Sequence, residues 1–190
     1  VHISTFGIYD WRRVTENPVP ETAPLGQGTA YSNSKVSQEM IWEAYRADAG
    51  FELLMLRLAN VFGVGHFWGG SGGGQKVQDL VTAGITGKPA KIPEEQTMDF
   101  VYLYSKDTGR AIDLAATIDA PFVTSFDELV ETIRGHLPNL KVEIVKGTPP
   151  INRAIPLDIS RAENVLGWKP EYSLSDAFAD YIADMRDEMG

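Results

Sequence analysis

The sequence predicts an α/β fold: a partial, doubly wound parallel sheet of the Rossmann-like kind, with a small α/β lobe toward the C-terminus. Three stretches predict it. Residues 1–6 are short, apolar and β-branched, as a strand is. Residues 30–48 carry Val36, Met40, Ile41 and Ala44 at helical spacing. Residues 51–59, FELLMLRLA, are almost uninterruptedly apolar, the pattern of a strand covered on both faces. A strand, a helix and a second buried strand in that order form a βαβ unit, whose crossover makes the two strands parallel.

The remaining elements follow in order. Residues 15–28 hold Pro18, Pro20, Pro24, Gly26 and Gly28 and read as a loop, and Gly50 supplies the stop of the first helix. Seven glycines lie between Gly63 and Gly74, which marks a second loop. A helix is expected over 76–86 and a strand over 98–104. Another helix is expected over 107–118, although Gly109 weakens it. Ser125 and Glu128 have capping-box spacing and open a helix to about His136. Residues 141–145 alternate as a strand does. The stretch GTPPINRAIP then leads to two last helices, over 160–166 and 175–189. No internal repeat is present.

A chain of 190 residues holds one substantial domain, and 43% apolar with 23% charged residues is the make-up of a folded chain rather than a disordered one. The net charge of -9, with no block of Lys and Arg, argues against nucleic acid and against an anionic membrane surface as partners. With no cysteine there is neither a disulfide framework nor a thiolate metal site, and a cytoplasmic location is expected. The three histidines, His2, His66 and His136, have no metal-ligand spacing, so no metal is expected. No apolar run reaches the ~20 residues of a membrane helix, and VHISTFGIYD lacks the charged start of a signal peptide. Because the first residues already read as a buried strand, an earlier part of the protein is expected to precede them.

Tyr31 and Lys35 stand four residues apart on the first expected helix and so share a face. A free phenol exchanges protons near pH ~10, and a neighbouring ammonium favours its ionised form. A tyrosine so placed can take a proton from an alcohol or return one to a carbonyl. Alone, the spacing is a weak signal, more often a surface tyrosine beside a solvated lysine. Thr5 adds to it: it ends the strand before this helix, where a parallel sheet presents its ligand-facing edge.

HISTFGIY, YSNSK, LRLANVFG, DFVY and LDISRAENVLGWKPEYSLSDAF resemble, in that order, the extended short-chain dehydrogenase/reductases, or NAD-dependent epimerase/dehydratase family. The resemblance covers nearly the whole chain. It implies that Tyr31 is the catalytic acid/base, that Lys35 holds the nicotinamide ribose and tunes the tyrosine, and that Thr5 is the catalytic Ser or Thr. It also implies a backbone contact from Ala59 to the cofactor, NAD or NADP, and a substrate contact from Asn60. Residues 1–62, with about 97–118 returning to them, would be the later part of the nucleotide-binding domain, and 63–190 mainly a substrate lobe. Helices of this kind pair across dimers in the family, so a homodimer is expected, with Trp42 in core or interface.

Several positions depart from the family pattern. No G-x-G-x-x-G occurs, and the seat it makes for the dinucleotide is expected about a hundred residues upstream. Only residues 120–124 remain where a strand usually intervenes before the Ser125 helix. Met98 stands where sugar-nucleotide enzymes carry a phosphate-binding Arg, and INRAIPLD replaces their Arg-x-Gly-Asp, leaving Arg153 to supply charge. Phe6 and Gly7 replace the Asp-Glu pair of the dehydratases. GGSGG matches a nucleophile elbow but lacks its preceding strand. The expected function is therefore an NAD(P)-dependent oxidoreductase or epimerase acting on a sugar-like secondary alcohol or ketone. The alternatives are a simple sugar-acid or small-alcohol dehydrogenase and a non-catalytic scaffold.

Overall fold

The structure is a computed structural model; it describes residues 1–26, 28–65, 72–115, 122–148, 155–158, 160, 163–164 and 171–190. His66, Ser71, Arg153, LGWKP and most of the helix expected over 160–166 lie outside the described residues. The chain divides into two compact units, Val1–Ala59 with Thr108–Ala120 and Ile155–Lys169, and Asn60–Asp107 with Pro121–Ala154 and Pro170–Gly190.

The first unit is built on the expected βαβ. Strand β1 (His2–Thr5) runs into a 3-10 turn at Phe6–Ile8, helix α1 (Ala30–Ala49) follows, and strand β2 (Met55–Leu58) returns parallel to β1 with Ile3 opposite Leu56 and Thr5 opposite Leu58. Residues 51–54 stay outside the strand, which is shorter than the apolar run. Thr29 caps α1 by accepting from the Ser32 N–H at 3.1 Å. Gly50 ends it in the left-handed region at φ 70°, a conformation that any side chain would resist. The proline-rich stretch before α1 is a packed loop. Val19 bridges to Leu157, and Tyr9, Val19 and Ala23 are buried against Phe6, Trp11, Val14 and Ile155.

In the second unit, β3 (Asn60–Phe62) pairs in parallel with β5 (Phe100–Tyr104), and β6 (Phe122–Thr124) adds antiparallel to β5. The short step before Ser125 is thus itself a strand. A separate parallel pair joins β4 (Ala90–Pro93) to β7 (Val142–Val145). Helix α2 (Gly72–Thr86) begins earlier than its apolar pattern, and α3 (Ser105–Ala115) follows β5. Helix α4 (Phe126–His136) buries Phe126, Leu129, Val130 and Ile133, one face at 3.6-residue period, and Ser125 caps it as its spacing requires. Helix α5 (Leu174–Met189) buries Phe178, Tyr181, Ile182 and Met185 and is capped by Ser173. Phe62 stacks on Phe178 at 5.1 Å and meets Tyr104 at 5.4 Å, so β3, β5 and α5 share one aromatic core. Among the described residues no helix is long and apolar enough to cross a membrane.

Candidate functional site

Thr5, Tyr31, Lys35 and Ala59 all belong to the first unit. The hydroxyl of Thr5, at the end of β1, accepts the Gly7 N–H at 3.2 Å and so caps the following 3-10 turn. That bond uses a lone pair and leaves the Thr5 O–H free to donate. A Cβ built on Gly7 would lie 3.4 Å from Thr5 Oγ1 and 3.8 Å from Ser32 Oγ, which brings the end of β1 to the first turn of α1. Tyr31 lies in that turn, 60% exposed, and among the described residues its phenol oxygen has no hydrogen-bond partner. One turn on, Lys35 is half-buried and its Nζ donates to the Ile3 carbonyl of β1 at 3.1 Å. An ammonium has three donors, so two remain for other acceptors. Burial, with the Lys35 ammonium nearby, holds His2 below the ordinary histidine range. Ala59 is half-buried, directly after β2.

Asn60 belongs to the second unit, where its Nδ2 donates to the Val101 carbonyl at 3.0 Å. Gly73 of α2 packs against the same side chain: a Cβ there would lie 3.0 Å from Asn60 Oδ1. The amide is therefore held by its nitrogen, and its oxygen remains an acceptor.

Two residues that the motif spacing did not reveal support the first unit. Glu39, two turns beyond Tyr31 on α1, is only 4% exposed and takes a bidentate bond from Arg57 of β2, Nε to Oε1 at 3.1 Å and Nη2 to Oε2 at 2.8 Å. Arg57 Nη1 also donates to the Tyr9 hydroxyl at 3.1 Å and to the Glu21 carbonyl at 2.6 Å. Burial works against a charged guanidinium here, but the Glu39 carboxylate and Tyr9 more than offset it and hold Arg57 above its usual range. The sequence did carry a signal: a lone arginine inside an apolar strand requires a buried partner. Among the described residues no cluster of His, Asp and Glu could hold a metal ion.

The family model for the NAD dependent epimerase/dehydratase family matches residues 1–122. UDP-glucuronic acid decarboxylase 6 of Arabidopsis thaliana is 26% identical over 185 residues, which cover 93% of this chain and 53% of the relative. The chain thus spans about half the length of the curated relatives it matches. Among solved structures, the UDP-glucose 4-epimerase of Thermotoga maritima with UDP-glucose matches with a TM-score of 0.82 and 25% identity over 99% of this chain and 63% of that one. The L-threonine 3-dehydrogenase of Trypanosoma brucei gives 0.82 and 20% identity over 97% and 62%, a likeness of fold. With the family model matched over well more than half its residues, the chain belongs to the NAD-dependent epimerase/dehydratase family.

Proposed function

We propose that these residues are the catalytic and substrate-side portion of an NAD- or NADP-dependent oxidoreductase or epimerase acting on a sugar-like secondary alcohol or ketone. One observation carries the reading: the Lys35 ammonium is tied to the β1 backbone, and Gly7, two residues after the Thr5 that ends that strand, lies against the first turn of α1, where the Tyr31 phenol has no hydrogen-bond partner among the described residues. Tyr31, Lys35 and Ala59 are the proposed cofactor contacts, and Thr5 and Asn60 the proposed substrate contacts. A homodimer and a cytoplasmic location belong to the same proposal. Met40, Ile41 and Tyr45, exposed on α1, would meet a second copy.

The residues present fit the nicotinamide end of the cofactor. Lys35 retains two donors for ribose hydroxyls, and the Ala59 backbone would border the ring. No G-x-G-x-x-G occurs in the 190 residues, so they do not supply the pyrophosphate seat. The bound cofactor would accept a hydride from the carbinol carbon or return it. Tyr31 takes the hydroxyl proton of an alcohol substrate, or donates one to a ketone. Thr5 donates its free O–H to the same substrate oxygen, and Lys35 stabilises the negative charge that Tyr31 carries after giving up its proton.

Tyr31→Phe removes the proton without changing ring size. The expected result is a fall in kcat of about 100-fold or more, in line with general acid–base catalysis, with cofactor affinity within about two-fold. A variant with near wild-type turnover would overturn the assignment. A simple dehydrogenase of a small alcohol or sugar acid is the second reading, favoured by Met98, which offers no charge to a diphosphate. Net NADH release with substrate separates the two, because an epimerase returns its hydride.

A further inference from the structure

We propose that Arg57, with Glu39 and Tyr9, is a positioning device that fixes Tyr31 relative to Thr5; the inference rests on the reading of Tyr31 as the acid/base. The starting point is how α1 is seated. Of its 20 residues only Ser32 and Glu39 are buried, whereas Met40 is 68% and Ile41 52% exposed. Within its unit, then, the helix is not held by an apolar seam. Trp42 leans on the rings of His2 and Phe51 toward the C-terminal half. Nearer the site, the ties from α1 to the strands are directional and polar: Lys35 to the Ile3 carbonyl, and Glu39 to Arg57 one turn further on.

Arg57 faces two ways. Through Nε and Nη2 it grips α1 at Glu39, about 12 Å along the helix axis from Tyr31 at 1.5 Å per residue. Through Nη1 it grips the Tyr9 hydroxyl, four residues beyond Thr5, and the Glu21 carbonyl in the loop that leads into α1. Tyr9 is 4% exposed, and its ring lies 5.4 Å below the guanidinium carbon. Arg57 itself sits on β2 opposite Ser4, the neighbour of Thr5. One planar cation therefore sets the height and rotation of the helix bearing Tyr31 against the turn that follows Thr5. A bidentate arginine–carboxylate pair fixes orientation as well as distance, which an apolar contact does not. A buried ion pair is weak evidence for net stability, so holding the fold together is a poor explanation for it. A displacement of ~1 Å at a catalytic group costs on the order of 100-fold in rate, which makes such a device worthwhile.

Arg57→Lys tests this, because it keeps the positive charge beside Glu39 while losing the planar fork. In the complete protein the expected result is a fall in kcat of about 10-fold or more, as expected for a misplaced acid/base, with KM and cofactor Kd within about two-fold. Hydrogen exchange at the amides of residues 30–36 should quicken, while exchange in α4 stays as it was. On the residual rate of the Tyr31→Phe enzyme, Arg57→Lys should cause no further loss, since it acts through that phenol. Glu39→Met with Arg57→Met removes both charges without orphaning either, and should give the same pattern if the lysine variant folds poorly. Unchanged turnover, or an equal loss in the wild-type and Tyr31→Phe backgrounds, would overturn the proposal. If Tyr31→Phe alone keeps its turnover, the functional reading falls and exchange decides the positioning claim by itself: quicker exchange at 30–36 supports it, unchanged exchange overturns it.

Discussion

At the scale of single residues, the second unit holds one cation in an unusual place. Lys76 of α2 is 3% exposed; its Nζ donates to the Gln96 carbonyl at 2.8 Å and lies 4.1 Å from the centre of the Phe100 ring. Burial pushes the amine down to about 7, against the pull of Asp99. The unfolded chain would hold that proton until about pH 10.4, so between about pH 7 and 10 the unfolded state binds more protons than the folded one. Stability from this group therefore rises with pH across that window, by up to on the order of 1 kcal/mol per pH unit. Lys76→Met should be the more stable protein at pH 7, and wild type should close the gap by pH 9.5. Paired urea denaturation curves at the two pH values read this directly. Curves that stay parallel would mean that the folded lysine keeps its ordinary proton. Stopping at 9.5 stays below the ionisation of tyrosines in the unfolded chain, which would otherwise draw stability away from the buried Tyr102.

At the scale of elements, helix α2 shows stability and site geometry pulling apart. Gly73→Ala adds a better helix former, a gain of up to ~1 kcal/mol. The new Cβ would lie 3.0 Å from the Asn60 side chain, which must then give by a few tenths of an ångström and so disturb the amide that donates to the Val101 carbonyl. The expected outcome is a melting temperature equal to or above wild type together with a substrate KM raised several-fold. An unchanged KM would remove Asn60 from the substrate contacts. What the sequence disclosed follows from the same physics. Helix α4 was legible because its cap, Ser125 with Glu128, is local, whereas α5 was placed by range alone and its Ser173 cap was not read. Strands β3, β4 and β6 were not legible: β3 continues the apolar run of β2 after one residue, β4 ends on Pro93 and β6 has only three residues, so each is recognised by its partner far along the chain rather than by its own pattern. On α1 the period was visible but the buried face was not: Met40 and Ile41, at helical spacing, are exposed, while Ser32 and Glu39 are the buried positions. Tyr31 and Lys35 were singled out by their spacing on one helix together with the family resemblance. Glu39 and Arg57 escaped because their partnership spans 18 positions and exists only after β2 has packed.

At the scale of the whole molecule, the same inversion on α1 bears on assembly. Met40, Ile41 and Tyr45 lie between 52% and 68% exposed, with Trp42 at 42% beside them and Phe51 at 38% just beyond the helix. Trp42 meets Tyr45 and Phe51 at ring separations of 6.4 Å, so these three rings are contiguous, and Ile41 stands one helical turn before Tyr45 on the same side of the helix. Soluble proteins rarely leave such a surface to water unless something binds it. In the proposed homodimer a second copy of the chain covers it, because an isologous pairing of α1 with itself would bury the patch on both copies at once. A stable pair needs roughly 800 Å² from each partner, which a 20-residue helix face and its flanks can provide. Sedimentation of the complete protein at micromolar concentration should then give a dimer. Ile41→Glu, at a position exposed in the single chain, should give a monomer whose urea midpoint, measured at high dilution, matches wild type. If wild type sediments as a monomer and Ile41→Glu lowers its midpoint instead, the patch is covered within one polypeptide, and the dimer proposal fails while the Tyr31 centre stands untouched.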